Sequence, residues 1–284
     1  MLAALPITTG PAMPSPLALL LIFPAIGAVS GVLAGLFGIG GGLVIVPALN
    51  AAFAAGLVAM DPEARMHVAI GSSLAVIVFT AISSVRAHQG YGAVLWPAVR
   101  GLAPGIIVGG LFGAWIADLM ATRTLEVVFG AFAVLMAAQI GFGPKVEPQV
   151  RGPMPGWPGY LGAGTVIGSL SALGGIGGGI MTVPYLAWHS VPLRTAVGTA
   201  AACTLPVALA GATGYALAGQ GAALPGWTTG YLYWPAIGVV ALVSMLTAPW
   251  GARLAHRLPV KQLRRLFAVL LLVVAADMLV GGRG

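Results

Sequence analysis

The chain has 284 residues, of which 59% are hydrophobic and 7% charged, with a net charge of +7 and a mean hydropathy of +1.00. A soluble domain carries roughly a quarter charged residues, so an ordinary soluble enzyme is excluded: too few polar groups exist to coat a surface facing water. At about 20 residues per helical crossing the length allows at most about ten spans, and the chain reads as an all-α polytopic membrane protein. Apolar runs longer than 18 residues without alternation exclude a β-barrel. The single cysteine, Cys203, excludes an intramolecular disulfide and a cysteine metal cluster. The basic residues lie in short loops between apolar runs, where they set topology and form no patch for nucleic acid.

In chain order, residues 1–16 form a short tail without the basic start of a signal peptide. An apolar run at 17–37, a glycine-rich break and a second run at 43–60 make the first element. Runs at 67–85, 94–116 and 124–142 follow. Residues 143–157, GPKVEPQVRGPMPGW, combine proline and charge as a linker, which separates a first membrane repeat (1–142) from a second (158–284). The second repeat reads 158–174, break, 180–190, then 194–214, 231–254 and 262–281.

The repeat is explicit. GIGGGLVIVP at 38–47 and GIGGGIMTVP at 175–184 share seven of ten positions at an offset of 137. Ala69-Ile70-Gly71-Ser72 matches Ala196-Val197-Gly198-Thr199 at an offset of 127. Trp96-Pro97-Ala98 matches Trp234-Pro235-Ala236, and Gly113-Ala114 matches Gly251-Ala252, both at 138. If each broken element is a hairpin that returns to its starting side, three crossings per half make the halves inverted. That topology places ten Lys/Arg in the cytoplasm, Arg86, Arg100 and Arg194 among them, against three outside. Asp61, Glu63, Asp118 and Glu126 then lie outside. Inverted repeats with interrupted helices at matching positions point to a secondary transporter.

Catalytic patterns are missing. There is no GxxxxGKS/T loop, no HExxH and no GxSxG, so neither an enzyme nor a bound cofactor or metal is expected. Only Asp277 lies within an apolar run; it either reaches the interface or serves possible proton coupling. What remains is backbone. Consecutive glycines disfavour helix, and the helices restarting at Leu43 and Ile180 present unpaired N–H groups and a positive dipole end. Two such termini meeting near the midplane would hold an anion without a buried Lys or Arg. The alternative role for these glycines is tight helix packing. Candidate substrate-binding residues are therefore Gly40, Gly41, Gly42, Leu43, Gly177, Gly178, Gly179 and Ile180, joined by Ser72, Ser73, Thr199 and Arg194. Ser72 and Thr199 occupy equivalent positions in the two halves. Trp96 and Trp234 read as interfacial belt residues.

The paired GxGGGxxxxP breaks, each followed by A-I/V-G-S/T, resemble the TauE/SafE family of sulfite exporters and sulfonate permeases over roughly 17–281. The resemblance implies a small anionic substrate containing sulfur, carried across the bacterial cytoplasmic membrane. Its motif positions here are Gly40, Gly41, Gly42, Pro47, Gly177, Gly178, Gly179 and Pro184. Arg194 stands before Ala-Val-Gly in the second half where the first half has His67, so the halves are not strictly symmetric. An anion channel and a non-transporting membrane partner are the other function classes, and the oligomeric state is left open.

Overall fold

A computed structural model of the protein describes residues 14–37, 40–142, 156–222, 224–257, 268–269, 271–276 and 278–279. Residues 143–155 of the linker, Gly38, Ile39, Asp277 and most of 262–281 lie outside the described residues, while a helix begins at Trp157, the last residue of the linker. The described chain is almost entirely helical. A π-helical turn, Ala18–Ile22, leads into α1 (Phe23–Phe37), followed by α2 (Gly42–Ala54), α3 (Arg65–Gly90), α4 (Trp96–Asp118) and α5 (Thr122–Phe142). The second half contains α6 (Trp157–Leu173), α7 (Gly179–Trp188) and α8 (Leu193–Ala218). A two-residue-per-strand hairpin, β1 (Thr228–Thr229) and β2 (Leu232–Tyr233), then precedes α9 (Trp234–Arg257). This small hairpin sits in the insertion after α8 and departs from an all-helical chain.

Among the described residues, five helices are long and apolar enough to cross a membrane: Ala18–Leu36, Arg65–Gly90, Trp96–Asp118, Arg194–Ala218 and Trp234–Gly251. The helices after the breaks are short, 13 residues in α2 and 10 in α7. At 1.5 Å per residue they extend only about 20 and 15 Å. Both broken elements fold back on themselves. The Ser15 N–H donates to the Leu57 carbonyl at 3.0 Å, joining the approach to α1 with the chain leaving α2. In the second half, Tyr160 in the first turn of α6 shares one apolar cluster with Leu186 and Val191 at the end of α7.

These hairpins open at opposite ends of the bundle. The start of α3 lies beside the end of α4, where His67 Nε2 meets the Ala117 carbonyl at 3.1 Å. The end of α3 lies beside the start of α4, where Trp96 Nε1 donates to Gln89 Oε1 at 2.9 Å. The start of α8 lies at this second end, because the Leu95 N–H donates to Thr199 Oγ1 at 2.8 Å. Helices α3 and α8, equivalent in sequence, thus run in opposite directions.

The halves exchange partners. Helix α4 packs along α6, and its counterpart α9 packs along α1. Both contacts are glycine seams. On α4, Gly101, Gly105, Gly109 and Gly113 recur every fourth residue. A Cβ at Gly105, Gly109 or Gly113 would collide with the backbone of Leu161, Thr165 or Ser169, and Gly164 and Gly168 of α6 meet the α4 backbone in return. Gly27 and Gly31 of α1 lie equally close to Val240 and Ser244 of α9. In a bilayer, where apolar side chains gain nothing by leaving lipid, such backbone approach is what holds helices together.

Candidate functional site

The first break owes its shape to two residues in left-handed conformation, Gly40 at φ +76° and Gly41 at φ +83°. A side chain there would strike the following carbonyl, so only glycine adopts this backbone without strain. Gly41 is the N-cap of α2, and its carbonyl accepts from the Val44 and Ile45 N–H groups at 3.0 and 3.2 Å. The second break is built differently. Its left-handed residue is Gly175 at φ +61°, while the N-cap of α7, Gly178, is right-handed at φ −56°. The Gly178 carbonyl accepts both the N–H and the hydroxyl of Thr182, at 3.0 and 2.8 Å.

The two breaks touch. A Cβ on Gly42 would collide with the Gly175 carbonyl oxygen and lie 2.9 Å from Ile176 Cα. A Cβ on Gly41 would stand 2.7 Å from the Ser30 carbonyl oxygen, and one on Gly40 would stand 2.7 Å from Ile77 Cγ2 and 3.1 Å from Thr204 Cγ2. Close packing and left-handed backbone therefore both demand glycine here. Ile77 follows the start of α3 by 12 residues and Thr204 the start of α8 by 11. At 1.5 Å per residue each is about 17 Å along its helix, close to the midpoint of the two 26-residue helices. The breaks thus sit at mid-height. Gly40, Gly41, Gly42, Leu43, Gly177, Gly178, Gly179 and Ile180 are all buried. The side-chain atoms nearest Gly40, Gly41 and Gly42 belong to Ile77, Thr204 and Ser30.

Of the hydroxyls expected at the site, Ser73 is there: its Oγ–H donates to the Gly175 carbonyl at 2.9 Å. Ser72 and Thr199 are engaged elsewhere, in matching ways. Ser72 Oγ accepts the Tyr233 N–H at 3.0 Å, and Thr199 Oγ1 accepts the Leu95 N–H at 2.8 Å. Tyr233 and Leu95 immediately precede α9 and α4. The preceding glycines make room for the same strands of chain, Gly71 against the Tyr231 carbonyl and Gly198 against that of Ala93. The repeated G-S/T pair is therefore a socket for the entry into the next helix. Arg194 is exposed, ten residues before Thr204 on α8 and so about 15 Å from the first break along the axis. The structure separates it from the site expected to contain it.

Ser30, Ile77, Gly175 and Ile176 line the junction without having been singled out. Ser30 was detectable as the only hydroxyl in α1, and Gly175 as the first residue of the second repeat motif. Ile77 carries no signal, because nothing in an apolar helix marks which isoleucine faces a break.

Ionisable groups gather away from the breaks. At the end of the bundle where α3 begins, Asn50 Nδ2 donates to Glu126 Oε1 at 3.1 Å, and Arg123 pairs with Glu126 Oε2 at 3.1 Å. Arg123 also donates to the Met278 and Leu279 carbonyls. The Tyr231 hydroxyl, in the turn between β1 and β2, donates to Asp118 Oδ1 at 3.0 Å. Burial, and then this hydrogen bond and the Asp118 charge, push the Tyr231 hydroxyl up to about 12, so it stays protonated and donating.

The family model for the sulfite exporter TauE/SafE matches residues 23–278. A Haemophilus influenzae protein named "Probable membrane transporter protein" is 34% identical over 254 residues, covering 89% of this chain and 95% of its own. A Bacillus subtilis protein of the same description is 25% identical over 92% of this chain and 97% of its own. A third, from Methanocaldococcus jannaschii, is 25% identical over 93% and 96%. No solved structure matches the chain significantly.

Proposed function

The chain belongs to the sulfite exporter TauE/SafE family of multi-pass membrane transporters, and we propose that it is a secondary transporter of a small sulfur-containing anion, sulfite or a sulfonate. The observation that carries this reading is the meeting of the two glycine breaks at mid-height between α3 and α8. There α2 and α7 begin, and their first N–H groups have no intrahelical acceptor. Helix starts present positive partial charge, and such termini at the bilayer midplane hold anionic groups in transporters whose helices are interrupted. The N–H groups following Gly40, Gly41 and Gly42 and those following Gly177, Gly178 and Gly179, up to Leu43 and Ile180, would hold the anion's oxygens. Ser73, beside them, adds one hydroxyl. Ser72 and Thr199 position α9 and α4, and Arg194 lies on the approach from the basic end.

The halves are read as inverted repeats, each with three spans and a re-entrant broken hairpin. Support comes from the antiparallel α3 and α8 and from the hairpins opening at opposite ends. On this reading the breaks, buried and packed against each other, would correspond to an occluded stage of alternating access. Opening to either side requires one hairpin to withdraw from the other, and the small glycine contact makes that separation inexpensive in lost apolar burial. Direction and coupling ion, a proton among the possibilities, follow from flux. The test uses proteoliposomes offered sulfite, sulfate, thiosulfate, sulfoacetate, taurine and simple carboxylates, each with and without a proton gradient. Saturable flux of one sulfur anion is expected; absence of flux for all of them, from folded protein, overturns the reading.

A further inference from the structure

Between α4 and α8, closed at one end by Val85 of α3, lies an open cleft of about 510 Å³. Its walls include Trp96, Ala103, Ile107, Leu205 and Leu209, and its surface is almost wholly apolar. From Trp96 to Leu111, 15 helical steps apart, the α4 wall extends about 22 Å. One leaflet of hydrocarbon is about 15 Å thick, so the cleft is long enough for an acyl chain throughout its leaflet.

The repeat shows that this cleft is particular to one side. Its counterpart is the contact between α3 and α9, where hydroxyls bridge the helices: Thr80 Oγ1 and Ser244 Oγ are 2.9 Å apart, and Ser83 Oγ donates to the Met245 carbonyl at 3.2 Å. At the offsets of the repeat, Thr80 and Ser83 become Val207 and Ala210, and Ser244 and Met245 become Ile106 and Ile107. No hydroxyl bridge is possible between those residues, and Ile107 and Ala210 line the cleft instead.

Two arginines neighbour the lining residues Val85, Trp96 and Val99 at one end of the cleft. Arg86 follows Val85, and Arg100 lies one turn beyond Trp96 on the same face of α4; both are exposed. Among the described residues neither has a carboxylate within ion-pair distance, because the acidic side chains described, Asp61, Glu63, Asp118 and Glu126, belong to the opposite end. The repeat supplies no equivalent: Arg86 corresponds to Thr213 and Arg100 to Gly238. An open apolar trough, with two exposed arginines that have no carboxylate partner next to its lining residues, matches a phosphodiester headgroup with its chain attached.

We propose that this cleft binds an anionic phospholipid of the leaflet on the basic side, one acyl chain lying along Ile107 and Leu209 and the phosphate resting on Arg86 and Arg100. The site is independent of the anion site between the breaks. Headgroup attraction by two arginines corresponds to about a thirtyfold preference for anionic over zwitterionic lipid. Native mass spectrometry of the full chain in detergent, titrated with phosphatidylglycerol or phosphatidylcholine of identical chains, measures it. The wild type should retain phosphatidylglycerol about thirtyfold more tightly. Arg86→Gln with Arg100→Gln, both exposed and so folded, should bring the ratio near one. Ala103→Trp, which fills the trough, should weaken retention of both lipids. Equal retention by the wild type, an unchanged preference in the double variant, or undiminished binding in folded Ala103→Trp overturns the proposal.

Discussion

At the scale of single residues, two kinds of glycine and two kinds of hydroxyl occur close together, with different work to do. Gly41 combines a left-handed backbone with the Ser30 carbonyl where a side chain would go. Gly41→Leu should therefore abolish sulfur-anion flux in proteoliposomes while the protein still elutes as a single species; unchanged flux would remove the break from the mechanism. The hydroxyls separate by measurement. Ser72→Ala leaves the buried Tyr233 N–H and Thr199→Val the part-buried Leu95 N–H without its acceptor, at a cost of about 1–3 kcal/mol. Thermal unfolding should register similar losses for the two, and the KM for the transported anion should not change. Ser73→Ala orphans the Gly175 carbonyl at the meeting of the breaks, so its effect should appear in KM as well as in the melting temperature. A KM change for Ser72→Ala equal to that of Ser73→Ala would mean that both touch substrate.

At the scale of elements, the broken hairpins depend on long glycine seams that hold the helices around them. Gly105, Gly109 and Gly113 place the α4 backbone against that of α6, and lipid cannot substitute for that fit. Gly109→Leu should separate α4 from α6 and cost about 3 kcal/mol or more, read as loss of monodispersity or a large fall in melting temperature. Gly162, with open space around it, supplies the control: Gly162→Ala should be tolerated. Helical content measured by circular dichroism should remain near wild type in both, since backbone hydrogen bonds within each helix are satisfied locally. The hairpin arms α2 and α7 differ in their attachment. The Asn50 amide ties α2 to Glu126 of α5, whereas α7 is held chiefly by apolar packing on α8.

At the scale of the molecule, charge and direction agree. The α3 start, the α4 end and the α5 start gather Asp61, Glu63, Arg65, Asp118, Arg123 and Glu126, while Arg86, Arg100 and Arg194 lie at the other end. Arginine-rich ends remain in the cytoplasm. In a Cys203→Ser background, Arg86→Cys and Arg194→Cys should react with a membrane-impermeant maleimide only from the cytoplasmic side, and Glu63→Cys only from outside. Labelling of Arg86→Cys and Glu63→Cys from the same side would contradict the inverted topology.

The sequence by itself determined the membrane class, because composition decides the solvent a chain can tolerate. It also showed the duplication and most element borders; the run at 43–60 is an exception, because α2 ends at Ala54. The runs at 67–85, 94–116 and 194–214 lie within α3, near α4 and within α8, and both breaks lie where helices end. These features are local: apolar length, glycine clusters and Trp-Pro starts act on the chain immediately around them. What only tertiary structure decided is which groups meet. Ser72 and Ser73 are adjacent, yet one holds the entry to α9 and the other the second break, because successive residues on a helix point about 100° apart and only the packed neighbours give those directions meaning. Arg194 looked like an anion ligand by position in the repeat, but the length of α8 keeps it from the mid-height junction. The contact of Gly42 with Gly175, 133 positions apart in the chain, follows from two hairpins entering the bundle from opposite ends. No local pattern encodes such a distance, since it is the sum of every helix length and seam between them.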